Sequence, residues 1–275
     1  MVVTRLRGGL GNQMFQYALG RTLAASRDDE LFLERGSVGS TATMREYGLD
    51  LFDFEPKFIS LGALAERSPV TVTINQNARG FHEEVLRDFV RCETLVLNGY
   101  WISEKYFSEH TDLIRRDFKC REVASLMPSE VRPRGHNSVA VHVRRGDYLA
   151  QAGARFGFVG LEYYRSAVEC LMGRVESPHF FVFSDDIDWC AENLRIGAPH
   201  TFVMASGGAE ERRAGDFRAM SACSHFIVAN STFSWWAAWL GTFPRKLVVA
   251  PRLWFHDDPL LIQSRDIVPS NWIVL

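Results

Sequence analysis

Short apolar runs separated by longer amphipathic stretches recur along this chain, which is the pattern of strands joined by helices. Val2 to Leu6 predicts a first strand, Gly8-Gly9-Leu10-Gly11 a turn, and Asn12 to Ser26 a helix. In that helix Met14 and Ala18 lie four apart, as do Phe15, Leu19 and Leu23, giving one apolar stripe. Strands are expected at 31–34, 70–74 and 94–98, an irregular Gly-, Ser- and Thr-rich stretch at 36–60, and a helix over 103–118 that Ser103 can cap. Met127 to Asn137 carries two prolines and a glycine in a polar setting and reads as a linker. Beyond it the alternation restarts, with strands at 138–144, 179–183, 225–229 and 246–250 and helices at 161–173, 186–194, 214–223 and 233–241. Strands separated by helical stretches imply parallel sheets with crossover connections, so the fold class is α/β. Two successive units of this kind suggest two Rossmann-like domains, 1–130 and 131–275, facing a cleft.

The chemistry concentrates at the carboxyl ends of the later strands, where ligands bind in open α/β sheets. Ser138 to Val143 alternates Val139, Val141 and Val143 on one face with Ala140, His142 and Arg144 on the other. It runs directly into Arg144-Arg145-Gly146-Asp147-Tyr148, where the glycine permits a tight turn. Two adjacent arginines at such a place suit a doubly charged anion, most simply a diphosphate, because the guanidinium fork matches phosphate oxygens. The competing explanation is an Arg–Asp salt bridge that closes a turn.

A second strand, Phe180 to Phe183, ends in Ser184-Asp185-Asp186. A carboxylate there can accept the N1 and N2 protons of guanine or the hydroxyls of a ribose, or it can cap the next helix. A third, Phe226 to Ala229, ends in Asn230-Ser231-Thr232 and enters an aromatic helix at Phe233. Backbone N–H groups and the positive end of the helix dipole make this a phosphate seat, and Phe233 can pack on a flat base. Trp235, Trp236 and Trp239 read as core. His225, at the start of its strand, reads as structural.

Composition narrows the partners. A net charge of −2 lacks the basic footprint of a nucleic-acid binder, so any anion recognition is local. No apolar stretch approaches the roughly 18 residues of a membrane span, and the N-terminus lacks signal-peptide features, which points to a cytoplasmic protein with peripheral membrane association left open. The five cysteines are scattered without a CxxC pair and read as reduced thiols. Gly9-Leu10-Gly11 has only the first two glycines of a dinucleotide fingerprint, a weak signal for NAD. Asp186-Ile187-Asp188 resembles a metal-binding triplet, but two carboxylates without a further ligand make a poor metal site.

At this point several segments resemble the bacterial α-1,2-fucosyltransferases of glycosyltransferase family 11. They are Gly8-Gly-Leu-Gly-Asn-Gln-Met-Phe-Gln-Tyr-Ala, Gly99-Tyr-Trp-Ile-Ser-Glu-Lys-Tyr-Phe, His142-Val-Arg-Arg-Gly-Asp-Tyr, Phe183-Ser-Asp-Asp, and the stretch from Asp216 through Met220, Cys223 and His225 to Leu240. Ile102 departs from the glutamine expected at its position. The resemblance implies a GT-B-like arrangement, with an N-terminal domain on the acceptor side and a C-terminal domain that binds GDP-β-L-fucose. It implies inversion at the anomeric carbon, no cofactor beyond the donor substrate and no essential metal. The acceptor would be a galactose-terminated oligosaccharide or glycolipid, fucosylated on its 2-hydroxyl.

The same resemblance places Arg144 on the β-phosphate, with Arg145 and Asn230 in the same donor site. It sets His142 and an acid of Ser184-Asp185-Asp186 near the guanosine, and Ser231, Thr232 and Phe233 around the diphosphate. The Gly-x-x-Gly-Asn-Gln opening is similar to that of protein fucosyltransferases, which implies that Asn12 falls close to the reacting centre, with Gln13, Tyr100 and Trp101 on the acceptor side. Tyr100 and Trp101 can stack on galactose or belong to the core. Asp147 is the nearest candidate base in sequence, with orientation of Arg144 or Arg145 as its other role. Two rival functions remain: transfer of a different sugar or linkage on the same scaffold, and non-catalytic glycan binding.

Overall fold

The computed structural model describes residues 1–36, 46–67, 70–76, 80–87, 92–121, 136–146, 158–204, 207–255 and 266–275. The expected domain boundary at 130/131, most of the linker and Asp147 lie outside the described residues. The chain divides into two compact units, Met1–Arg121 with Arg265–Pro269, and Glu122–Ser264 with Ser270–Leu275.

The first unit is built on a five-stranded sheet in the order β3-β2-β1-β5-β4. Its strands are β1 (Val2–Arg5), β2 (Leu31–Glu34), β3 (Lys57–Phe58), β4 (Thr71–Asn75) and β5 (Thr94–Asn98), all parallel to their neighbours. Helix α1 (Leu10–Ser26) crosses from β1 to β2, with short helices α2 (Leu61–Arg67), α3 (Glu84–Arg87) and α4 (Thr111–Asp117) on the later connections. Helix α1 begins two residues before the expected Asn12, because Gly9 already takes an extended N-cap conformation. Met14, Phe15, Ala18 and Leu19 are fully buried, as the apolar stripe requires.

The single helix expected over 103–118 is instead three short pieces: 3-10 turns at Glu104–Tyr106 and Ser108–His110, then α4. Ser103 does cap the first piece, accepting from Lys105 N at 3.4 Å. The break falls at Phe107 (φ −138°), where Tyr106 and Phe107 are each 1% exposed. Phe107 leaves the helical region there, and the bonds around it are of the i→i+3 kind, Phe107 N donating to Glu104 O and His110 N to Phe107 O, both at 3.0 Å.

The second unit carries a six-stranded sheet in the order β11-β10-β9-β6-β7-β8. The strands are β6 (Ser138–Val143), β7 (His179–Ser184), β8 (His200–Phe202), β9 (His225–Ile227), β10 (Val248–Ala250) and β11 (Ile273–Val274), again all parallel. Helices α5 (Leu161–Met172), α6 (Ile187–Asn193), α7 (Ala209–Ser221) and α8 (Thr232–Leu240) connect them. Every residue of β6 is buried, so this strand is covered on both faces.

Trp235, Trp236 and Trp239 pack into the interior, consistent with their reading as core. Lys246 closes the far end of α8 by donating to the carbonyls of Ala238 (2.7 Å), Trp239 (3.0 Å) and Gly241 (2.8 Å). His225 is structural: its ring meets His136 O at 3.0 Å and accepts from Leu247 N at 3.1 Å. The five cysteines are free thiols. Among the described residues no helix is long and apolar enough to cross a membrane.

Candidate functional site

The register of β6 beside β7 pairs His142 with Phe183 and Val143 with Ser184, so the arginine turn and the Ser184-Asp185-Asp186 turn leave the sheet side by side. Asp185 grips the arginine turn. Its Oδ1 accepts from Arg145 N at 2.9 Å, its Oδ2 accepts from Gly146 N at 3.1 Å, and the same Oδ2 pairs with Arg144 Nη1 at 3.1 Å. Arg145 turns the other way. It forms an ion pair with Asp186 and lies over the Trp189 ring, 4.3 Å from its centroid. Asp186 also caps α6 by accepting from Trp189 N at 3.4 Å, and its own N–H donates to Ser184 Oγ at 3.0 Å. The salt-bridge explanation holds: the carboxylates close the turn, and by doing so they fix where the two cations sit. Arg144 remains about a quarter exposed at the strand end.

His142 lies beneath that turn, 5% exposed, with its ring centroid 5.7 Å from that of Phe233. Burial, and secondarily the neighbouring Arg144 charge, lower its pKa from 6.5 to about 3. It is a neutral imidazole throughout the physiological range, and its Nδ1 has no hydrogen-bond partner among the described residues. Phe233, in the first turn of α8, also meets Phe217 of α7 edge-on at 5.3 Å. Ser231 is the N-cap of α8 with no side-chain hydrogen bond to the helix. Asn230, expected to bind the donor, is 1% exposed and donates from Nδ2 to Trp254 O at 3.2 Å. Its amide thus ties the loop before α8 to the segment after β10.

Two residues of this region escaped the sequence reading, and a third was read only as the start of a matching stretch, without a role. Tyr163 and Tyr164, in the first turn of α5, brace the strand ends. Tyr163 shares its hydroxyl proton between Val228 O (2.6 Å) and Val249 O (3.0 Å), and Tyr164 donates to His142 O at 3.1 Å. A tyrosine pair opening an amphipathic helix was the available signal. Tyr163→Phe is expected to lower unfolding free energy by about 1–2 kcal/mol, measured by urea denaturation, because a shared buried donor is lost. An unchanged midpoint would show that the hydroxyl holds nothing. The third is Asp216 of α7, beside Phe217. Burial raises its pKa from 3.8 to about 7 against the opposing pull of Arg212, and its Oδ1 has no hydrogen bond among the described residues. An acid embedded between Gly215 and Phe217, both buried, was its signal.

The first unit brings another group together. Gly8 has φ +73°, and a Cβ there would come within 2.5 Å of Asn12 Nδ2, so only glycine leaves Asn12 its position in the first turn of α1. Gln13 is fully buried and its amide is wholly engaged, donating to Gly8 O and Glu46 O (both 2.9 Å) and accepting from Gly48 N (3.0 Å). It supports the Gly8 turn from inside rather than presenting itself to a ligand. Trp101 is 1% exposed and packs edge-on to Tyr106, which is the core alternative; Tyr100 is 42% exposed and keeps a ring face available. Among the described residues no group of three or more His, Cys, Asp or Glu is placed to hold a metal ion.

Two Rossmann-like parallel sheets place the chain in the GT-B-like α/β class of its structural neighbours. One neighbour is NodZ alpha-1,6-fucosyltransferase soaked with GDP-fucose (TM-score 0.51, 18% identity, 90% of this chain and 94% of that chain). Another is a mutant of Arabidopsis thaliana FUT1 in complex with GDP (TM-score 0.55, 12% identity, 90% of this chain and 69% of that chain). The sequence narrows the class further. Residues 83–275 match the description Glycosyl transferase family 11. The chain is 31% identical to an Alpha-1,2-colitosyltransferase of Escherichia coli over 99% of its own length and 98% of that protein. It is 35% identical to Galactoside alpha-(1,2)-fucosyltransferase 1 of Homo sapiens over 85% of this chain and 63% of that protein. The chain belongs to glycosyltransferase family 11.

Proposed function

We propose that the protein moves L-fucose from GDP-β-L-fucose to the 2-hydroxyl of a terminal galactose, with inversion and without a metal ion. The observation that carries this reading is the carboxylate-fixed arginine turn beside the N-terminus of α8. The second unit serves the donor and the first the acceptor. A galactose oxygen attacks the anomeric carbon from the face opposite GDP, the bond to the β-phosphate oxygen breaks, and its electron pair leaves with GDP. Arg144 meets the charge that grows on that phosphate, and the N–H groups opening α8 receive the rest. Neutral His142 and Phe233 line the donor pocket, while Asn12 orients the reacting groups. Asp147 either takes the hydroxyl proton or orients the arginines, in which case the proton passes to solvent as the new bond forms.

Asp185 and Asp186 are engaged by the arginine turn, so the carboxylate that reads guanine is assigned to Asp216. Two base N–H donors favour its charged form, so nucleotide binding displaces the proton that Asp216 holds below pH about 7. GDP affinity is then expected to weaken as pH falls below 7 and to level off above it. Calorimetry of wild type against Asp216→Asn isolates this from the titration of GDP itself. Identical pH profiles would remove Asp216 from the base site.

The second reading, a different deoxysugar on the same scaffold, draws support from the colitosyltransferase relative. A panel of GDP-sugars and galactosides, followed by NMR of the product linkage, tests both. Transfer from GDP-fucose to give an α-1,2 product supports the first, and turnover with another sugar alone supports the second.

A further inference from the structure

The carboxyl edge of the first sheet holds a polar cluster of which the site described above uses only Tyr100. Strand β1 exits through Leu6 to Arg7, its neighbour β5 ends at Asn98, and β4 ends at Asn75, which sits opposite Asn98. Asn98 Nδ2 donates to Asn75 Oδ1 at 2.5 Å, which turns Asn98 Oδ1 toward Arg7, and Arg7 Nη2 donates to it. The guanidinium lies over Tyr100, 5.6 Å from the ring centroid. The turn carrying Tyr100 is itself fixed: Gln76 Oε1 accepts from Tyr100 N (2.8 Å) and Trp101 N (3.1 Å). Buried Trp101 holds φ +55°, a left-handed conformation that strains a non-glycine residue. The outcome of that strain is an outward-facing Tyr100 beside an arginine.

Arg7 differs in its partners from three other arginines of its unit. Arg5 pairs with Glu34 (3.2 Å), Arg21 with Asp117 (2.9 Å) and Arg27 with Asp29 (2.7 Å). Among the described residues no carboxylate lies within ion-pair distance of Arg7, and its Nε is buried without a hydrogen bond. Its surroundings are a neutral amide and a phenol ring, although the side chain is only partly exposed. A half-buried guanidinium held by neutral groups retains an unmet charge and unused N–H donors. A sugar hydroxyl would meet a donor but not the charge; a carboxylate meets both, and its planar oxygens match the fork.

We infer that Arg7, aimed by Asn98 and Tyr100, binds a carboxylate on the acceptor, so that the preferred acceptor is an acidic glycan with a uronate-type sugar next to the galactose. This rests on the proposed function and specifies its acceptor class. The test uses the full-length enzyme and two galactosides, one linked to a neutral sugar and one to glucuronate. Binding of each is measured by calorimetry in the presence of GDP, and transfer by kcat/KM with GDP-fucose.

Wild type is expected to favour the glucuronate acceptor by about tenfold or more, the scale of a charge-assisted hydrogen bond pair. Arg7→Gln should bring that ratio to near one, and Arg7→Lys should keep part of it. The wild-type preference should also shrink between about 0.01 and 1 M salt, a readout that needs no variant. A wild-type preference for the neutral acceptor, or a preference that survives in Arg7→Gln, overturns the inference even if fucose is transferred. Arg7-dependent binding of the acidic galactoside without any transfer would instead uphold the inference and overturn the proposed reaction.

Discussion

Purified Arg144→Ala is expected to transfer sugar about a hundred- to a thousand-fold more slowly than wild type, a loss of about 3–4 kcal/mol. The size follows from where the guanidinium is held. Asp185 fixes Arg144 at the end of β6, level with the strand end that leads into α8, so the cation needs no reorganisation when charge develops on a leaving phosphate. Arg144→Lys should recover little, because a point charge on a flexible stem neither forms the fork nor keeps the pairing geometry. The neighbouring Arg145 is the internal comparison. Its guanidinium is tied to Asp186 and Trp189, so Arg145→Ala should loosen the turn and lower the rate by a smaller factor. Steady-state kinetics of the three variants side by side would show this order, and equal losses at both arginines would break it.

Asp185→Asn should have the next largest effect, a loss of about 2–4 kcal/mol seen mainly as weaker donor binding. Both carboxylate oxygens are acceptors here, one for Arg145 N and the other for Gly146 N and Arg144. An asparagine offers one acceptor and turns an NH2 group toward a backbone N–H, so the turn opens and Arg144 loses the negative charge of Asp185. The expected signature is a raised KM for the nucleotide sugar with a smaller fall in kcat. A residue that merely decorated the surface would leave both unchanged.

The strands that build these sites were legible because each is a short run of β-branched or aromatic residues ending at a polar turn. Ser138 to Val143 and Phe180 to Phe183 announce themselves in this way, and the paired arginines that follow the first of them were legible as a candidate anion site. What could not be read was which carboxylate serves which cation. Asp185 lies 40 residues beyond Arg145, and only the parallel register of β6 on β7 brings their turns together. The helix expected over 103–118 failed for a related reason, since the burial of Tyr106 and Phe107 is imposed by packing that periodicity does not contain. Short edge strands such as β3 and β11, each of two residues, carry too little pattern to be seen alone. The positive φ of Trp101 could not be read because nothing in its neighbours reveals a left-handed backbone.

Chemical rescue tests most directly whether a fixed guanidinium is what stabilises the departing nucleotide. Single-turnover transfer by Arg144→Ala would be followed in chelator-containing buffer as guanidinium is added at millimolar levels. If a fixed guanidinium has that role, the variant starts slow and its rate climbs and saturates, beside a wild-type enzyme that does not respond. A variant already as fast as wild type before any guanidinium is added would contradict it.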